Sequence, residues 1–196
     1  QLCERMEIDV WEVIEAAATK PYGFMKFLPG PGLGGHCIPI DPTYLSWKMK
    51  SLNFPARFIE LATEINSQMP FHVVRKLGDI LNEDRLAVNG SRILVLGVAY
   101  KANVSDMRET PAIEISELLI QKGAHVDYHD PHVPEFHVLK SVDLTDEALA
   151  NADLTIIITD HAAVDYERVV EKSQRVLDTR NATKRVANHR EKIRKL

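Results

Sequence analysis

From about residue 87 onward the chain alternates short apolar runs with amphipathic stretches, and this alternation restricts the possible folds more than any other feature. SRILVLGV, residues 91–98, reads as a buried strand. Thr110 to Lys122 has helical spacing, with Pro111 at an early helical position and Gly123 past the end. AHVDYHDP is a second strand and Asp146 to Asn151 a short helix. Leu154 to Thr159 is a fully buried strand, and Arg175 to Asp178 a last short one. Strands that alternate with helices imply right-handed β-α-β units and a mostly parallel sheet. The expected fold class is therefore α/β, with a three-layer αβα unit over residues 87–196.

Residues 1–86 read as helical and form a second expected unit. Leu2, Met6, Val10, Val13, Ile14 and Ala17 follow helical spacing from the first residue, so the chain reads as starting inside a helix of a longer protein. A Gly- and Pro-rich loop from Thr19 to Pro42 leads to a short helix around Tyr44 to Lys50. A long helical stretch from Ala56 to Asp84 carries the apolar stripe Phe58, Leu61, Ile65, Met69, Val73, Leu77 and Ile80. Pro70 predicts a kink or break within it.

Composition narrows the function classes. With 45% hydrophobic and 27% charged residues the chain is ordinary globular protein, and a net charge of -4 argues against nucleic acid as a partner. Its two cysteines, Cys3 and Cys37, make neither a disulfide framework nor a cysteine-rich zinc site, and both are expected reduced in a cytoplasmic protein. His125, His129 and His132 lack accompanying cysteines, and no metal is expected there. No apolar run approaches the roughly 18 residues of a membrane helix, so no membrane partner is expected. The tail from Arg180 to Leu196 holds seven Lys or Arg against one acid. It reads as a solvated helical end, or as a contact for phosphate or a neighbouring subunit.

Two motifs carry chemistry. PGPGLGGHCIPIDP, residues 29–42, sets four glycines before His36 and Cys37. Glycine lets backbone approach a neighbour closely. A cysteine between such a loop and a helix start can be a nucleophile, because a helix N-terminus favours thiolate. Asp41 can cap that helix, position water or accept a proton. On spacing alone, a glycine-rich loop with one cysteine is more often structural. Cys3, on an amphipathic helix, reads as inert. The second motif, GVAYKANVSDMRETPA from Gly97 to Ala112, is a strand end, a loop and a helix start. Ligands bind at such carboxyl ends of strands. Lys101 and Arg108 can reach a pyrophosphate there, or pair on the surface with Asp106.

Together these motifs resemble the nucleotide-sugar 6-dehydrogenases, a family that includes the UDP-glucose, GDP-mannose and UDP-N-acetylhexosamine enzymes. The similarity spans nearly the whole chain and looks strongest to the UDP-N-acetylglucosamine branch. Ile40 stands where the glucose branch has lysine. The resemblance implies a helical central, dimerising domain over residues 1–86 and a Rossmann-like UDP-sugar-binding domain over 87–196. It implies oxidation of a sugar C6 alcohol to a carboxylate with NAD, through a cysteine thiohemiacetal and thioester. By resemblance Cys37 is the catalytic thiol and Asp41 its assistant. Leu33, Gly34, Gly35, Tyr100, Lys101 and Arg180 meet the UDP-sugar, while Asp106 and Arg108 support the loop. A homodimer or higher homo-oligomer is implied.

No strand–GxGxxG–helix unit occurs in the chain, so NAD is expected to bind mainly elsewhere, and these residues alone are expected to be inactive. The alternatives are a UDP-binding module without catalysis and an oligomerisation piece.

Overall fold

The computed structural model describes residues 1–137 and 139–196. In chain order the elements are α1 (Leu2–Arg5), α2 (Val10–Ala17), α3 (Asp41–Lys50), α4 (Arg57–Ser67), α5 (Met69–Glu83), β1 (Arg92–Leu96), α6 (Pro111–Gln121), β2 (His125–His129), β3 (Glu135–Phe136), β4 (Leu139–Lys140), α7 (Asp146–Asn151), β5 (Leu154–Ile157), α8 (Tyr166–Lys172), β6 (Val176–Asp178) and β7 (Ile193–Lys195). The main sheet has the order β2-β1-β5-β6-β7, and every pairing in it is parallel. β3 and β4 form a separate antiparallel pair.

Side chains that alternate along each strand feed two cores. Ile93 and Val95 of β1, Leu154 and Ile156 of β5 and Leu177 of β6 face α5 and α6. Leu94, Leu96, Ile157 and Val176 face α7 and α8. This period of two gives the α/β/α layering read from the sequence. α5 belongs to the sheet layer: its Val73, Val74, Leu77, Ile80 and Leu81 are all in the first core. The α4 half of the same stripe is bare, with Phe58 90%, Leu61 52% and Ile65 53% exposed.

Several local expectations are corrected. The first helix is broken: Glu7 takes φ 56°, and the Asp9 side chain accepts from Trp11 N–H at 2.8 Å, starting α2 afresh. The break near Pro70 falls at Gln68, so the proline occupies the first turn of α5, where its missing N–H costs nothing. Asp41 does not cap α3. The cap is Ile40, with Asp41 and Pro42 already inside the first turn. The basic tail is not a helical end: it runs through two short 3-10 turns and closes on β7 at the edge of the main sheet. Ile193 packs on one core and Leu196 on the other, the alternation of a strand. Two of its charges form ion pairs, Arg194 with Glu83 and Lys195 with Asp9.

Candidate functional site

β1 and β2 run to one side of the sheet, and the chain returns to add β5 on the other side of β1. The order reverses between β1 and β5, where open α/β sheets bind ligands beyond the strand ends. The loops there are 97–110 after β1 and 158–165 after β5. They are tied to each other. Thr159 Oγ1 donates to Ala99 O at 2.6 Å, and Ala162 N–H donates to Asn103 Oδ1 at 2.8 Å. Gly97, at φ 78°, lies flat against Thr159, where a Cβ would strike its carbonyl.

The glycine loop docks on loop 97–110. Gly35 N–H donates to Arg108 O at 2.8 Å, and Leu33 N–H donates to Asn66 Oδ1 at 2.8 Å. Each glycine has a neighbour where a side chain would go. Gly30 faces the Arg180 guanidinium, and Gly32 faces Pro111. A Cβ on Gly34 would sit 2.6 Å from Glu109 O and 2.8 Å from Tyr100 Cβ. One on Gly35 would touch the Tyr100 ring. The glycines therefore serve close packing of protein on protein.

Cys37 emerges exposed from this dock. Its carbonyl accepts from Ile40 N–H at 3.1 Å and Asp41 N–H at 2.8 Å, the turn that opens α3. Asp41 is exposed, and among the described residues its carboxylate has no hydrogen-bond partner. Arg108 pairs with Asp106 through Nη2 to Oδ2 at 2.6 Å and Nε to Oδ1 at 3.1 Å. That side-chain contact, with Arg108 N–H next, draws the Asp106 pKa from 3.8 to about 2. The Arg108 pKa is raised in turn, by Asp106 first and to a lesser degree by Tyr100 and Cys37, so this charge lies within electrostatic reach of the thiol. Lys101 is exposed, its Nζ 5.5 Å from the Tyr100 ring centroid, and among the described residues it has no carboxylate partner.

Arg180 follows β6. Its turn is fixed by buried Asp178, which accepts from the N–H groups of Arg180, Ala182 and Thr183. Its Nε donates to Ile158 O at 2.8 Å. Burial pulls its pKa down and Asp160 opposes this, but a guanidinium stays charged. Among the described residues no carboxylate lies within salt-bridge distance of it. It lines a cavity of about 610 Å³ with Trp11, Lys26, Leu28, Asn103 and Arg185. Trp11 Nε1 and Asn181 Oδ1 are buried at this cavity without a hydrogen-bond partner among the described residues.

Of the residues picked out from the sequence, the structure brings Gly34, Gly35, Tyr100, Arg108 and Cys37 into one contact region, with Asp106 on Arg108. Arg180 touches the loop through Gly30 and opens into the large cavity. Leu33 lines a different, smaller hollow between the loop and Pro111. Sequence reading missed Asn103, Asp130 and His161. Asp130 and His161 are buried and hydrogen-bonded to each other at 3.0 Å. Both stand just beyond strand ends, and that position was the available signal.

The comparisons with known proteins match two regions of the chain. Residues 1–68 match the model of the UDP-glucose/GDP-mannose dehydrogenase family, central domain, and residues 94–185 match that of the same family's UDP binding domain. The chain belongs to this dehydrogenase family. The contact of loop 29–42 with loop 97–110 joins its two matched regions. UDP-N-acetyl-D-mannosamine dehydrogenase of Methanococcus maripaludis is 34% identical over 190 residues, covering 92% of this chain and 42% of that protein. UDP-glucose 6-dehydrogenase TuaD of Bacillus subtilis is also 34% identical, over 92% of this chain and 41% of that protein. The solved structure of UDP-D-ManNAc dehydrogenase from Pyrococcus horikoshii superposes with a TM-score of 0.80 at 30% identity, over 92% of this chain and 42% of that one. The chain thus spans less than half the length of the dehydrogenases it matches.

Proposed function

We propose that this chain is the thiol-bearing and nucleotide-binding part of an NAD-dependent UDP-sugar 6-dehydrogenase. The observation that carries the reading is the docking of the glycine loop on loop 97–110. It brings Cys37 beside the strand ends where an α/β sheet receives a nucleotide. The cavity beside Arg180 has the volume of a small-ligand site, and Arg180 and Arg185 suit a diphosphate, Lys26 being paired with Glu15. Lys101 reaches the same substrate from the loop between Cys37 and Arg180.

In this reading Cys37 Sγ attacks the C6 aldehyde carbon of the half-oxidised sugar and forms a C–S bond, while the oxygen takes a proton. After oxidation of that adduct, water adds to the thioester carbon and the thiolate leaves as the carboxylate forms. Asp41 accepts the proton of that water. The two oxidations require the dinucleotide. These residues do not fit it: the glycine loop lies between α2 and α3 with no strand before it, and the sequence holds no strand–GxGxxG–helix unit. No hydride step is assigned to them, and the 196 residues alone are expected to give no turnover.

The substrate proposed is a UDP-N-acetylhexosamine. Ile40 in place of the glucose-branch lysine favours an acetamido sugar. The sequence resemblance points to the gluco epimer, and the name of the Methanococcus relative to the manno epimer. The protein acts as a homodimer through the bare faces of α3 and α4. The decisive experiment is NAD reduction by the intact enzyme with UDP-N-acetylglucosamine, UDP-N-acetylmannosamine and UDP-glucose, beside its Cys37→Ala variant. An acetamido sugar is expected to react best and the variant to be inactive. A fully active Cys37→Ala enzyme would overturn the assignment of the thiol.

A further inference from the structure

The segment from Val98 to Asn103 carries Tyr100 and Lys101 and has no regular secondary structure. Both of its ends hang on one buried pair. At the start, Val98 N–H and Ala99 N–H donate to Asp130 Oδ2 at 2.7 and 3.2 Å. At the far end, Asn103 N–H donates to His161 Nδ1 at 3.0 Å. His161 Nδ1 is therefore the bare nitrogen of a neutral ring, and the ring proton is on Nε2, which donates to the same Asp130 Oδ2 at 3.0 Å. The other Asp130 oxygen is fixed by His132 and Val133 N–H at 2.8 and 3.1 Å.

His161 is held on further sides. It is fully buried, Tyr166 OH donates to its carbonyl at 3.2 Å, and the His132 ring tilts against its own with centroids 4.9 Å apart. Asn103 sits at φ 62°, and its side-chain oxygen accepts from Ala162 N–H beside His161, closing the ring of contacts. A fold needs only to satisfy buried polar groups. Here the satisfied groups follow β1, β2 and β5, and between them lie the two residues proposed to meet the nucleotide sugar, Tyr100 being tied as well by its N–H to Asp106 O at 2.9 Å.

We propose that His161, clamped by Asp130, is a positioning residue that presets the Tyr100–Lys101 segment for the UDP-sugar. It touches no substrate. It acts through the Asn103 amide, so that the ordering cost of the segment is met on folding and not on binding. This assignment rests on the nucleotide site proposed above.

Three substitutions separate its elements. His161→Asn keeps an acceptor near Nδ1 for the Asn103 amide. His161→Gln reaches Asp130 but offers that amide no acceptor at the Nδ1 position. Asn103→Gly tolerates the positive φ, removes the Ala162 tie, and lies on the surface, so it folds even if His161→Gln does not. Without ligand, His161→Gln and Asn103→Gly should speed amide hydrogen exchange over residues 98–103 by about tenfold, with β5 amides unchanged. Calorimetry should then give a UDP Kd raised on the order of tenfold. The KM of the intact enzyme for the UDP-sugar should rise by a similar factor and kcat change less than about threefold. His161→Asn should recover most of the affinity.

Folded variants that lose only melting temperature and bind UDP as the parent does would overturn the assignment and leave the nucleotide site standing. A parent chain that does not bind UDP at all would remove the nucleotide site, and the positioning role with it.

Discussion

Cys37 and Cys3 differ in access to solvent. Cys37 is exposed at the mouth of a turn into α3, within reach of the Arg108 charge. Cys3 is half-buried in α1. A small alkylating reagent should therefore modify Cys37 first, and saturating UDP-sugar should slow that reaction at least about fivefold. Equal rates at both cysteines, read by peptide mass, would contradict the site. Asp106 allows a second test at this scale. Its folded-state pKa lies below the ordinary value, so the pairing with Arg108 is complete above about pH 4 and is lost as pH falls through about 2. The carboxyl resonance of Asp106 should titrate near 2 in the parent chain. In Arg108→Ala its midpoint should move up toward 3.8.

Among the elements, the glycine loop is the most sensitive to a single methyl group. Gly34 approaches Glu109 O and Tyr100 Cβ too closely for any side chain. Gly34→Ala must lift the loop from loop 97–110, at a cost of about 1–3 kcal/mol. It should also separate Cys37 from the nucleotide site. The expected result is lost turnover in the intact enzyme with UDP binding reduced less than about threefold, checked by kinetics and calorimetry on the same preparation. The loop's glycines were legible in the sequence, but their purpose was not. Their neighbours Arg180, Pro111 and Tyr100 lie 65 to 150 residues away, and only the fold brings them close. Local patterns were legible where one period dominated: β1, α6, β2, β5 and β6 fall within a residue or two of their expected positions. β7 was hidden because three residues between charged neighbours carry too short an alternation to read. His161 and Asp130 were hidden for a different reason. A buried histidine and aspartate acquire meaning only from each other, and they meet across 31 positions.

At the scale of the whole molecule, the two halves of one apolar stripe meet different fates. Val73, Leu77 and Ile80 on α5 are buried against the sheet, so that half needs nothing more. Phe58, Leu61 and Ile65 on α4 remain bare, and α3 adds Trp47 at 70% and Tyr44 at 67% exposure. Scattered exposed apolar residues are ordinary, but a continuous set of large ones on two adjoining helices marks a contact surface. A two-fold pairing satisfies such a face with itself, since one patch then meets its own copy. A stable dimer of this kind buries roughly 1,200–2,000 Å², and two helices of about three turns per protomer supply that scale of area. Leu61→Glu puts a charge into the middle of the face in each copy, and the two-fold brings the charges together. Because Leu61 is half exposed in the single chain, the fold should lose no more than about 0.5 kcal/mol. Sedimentation of the parent chain at micromolar concentration should report a dimer, and Leu61→Glu a monomer with an unchanged circular dichroism spectrum. A monomeric parent, or a Leu61→Glu chain that dimerises as tightly, would assign this face to some other contact.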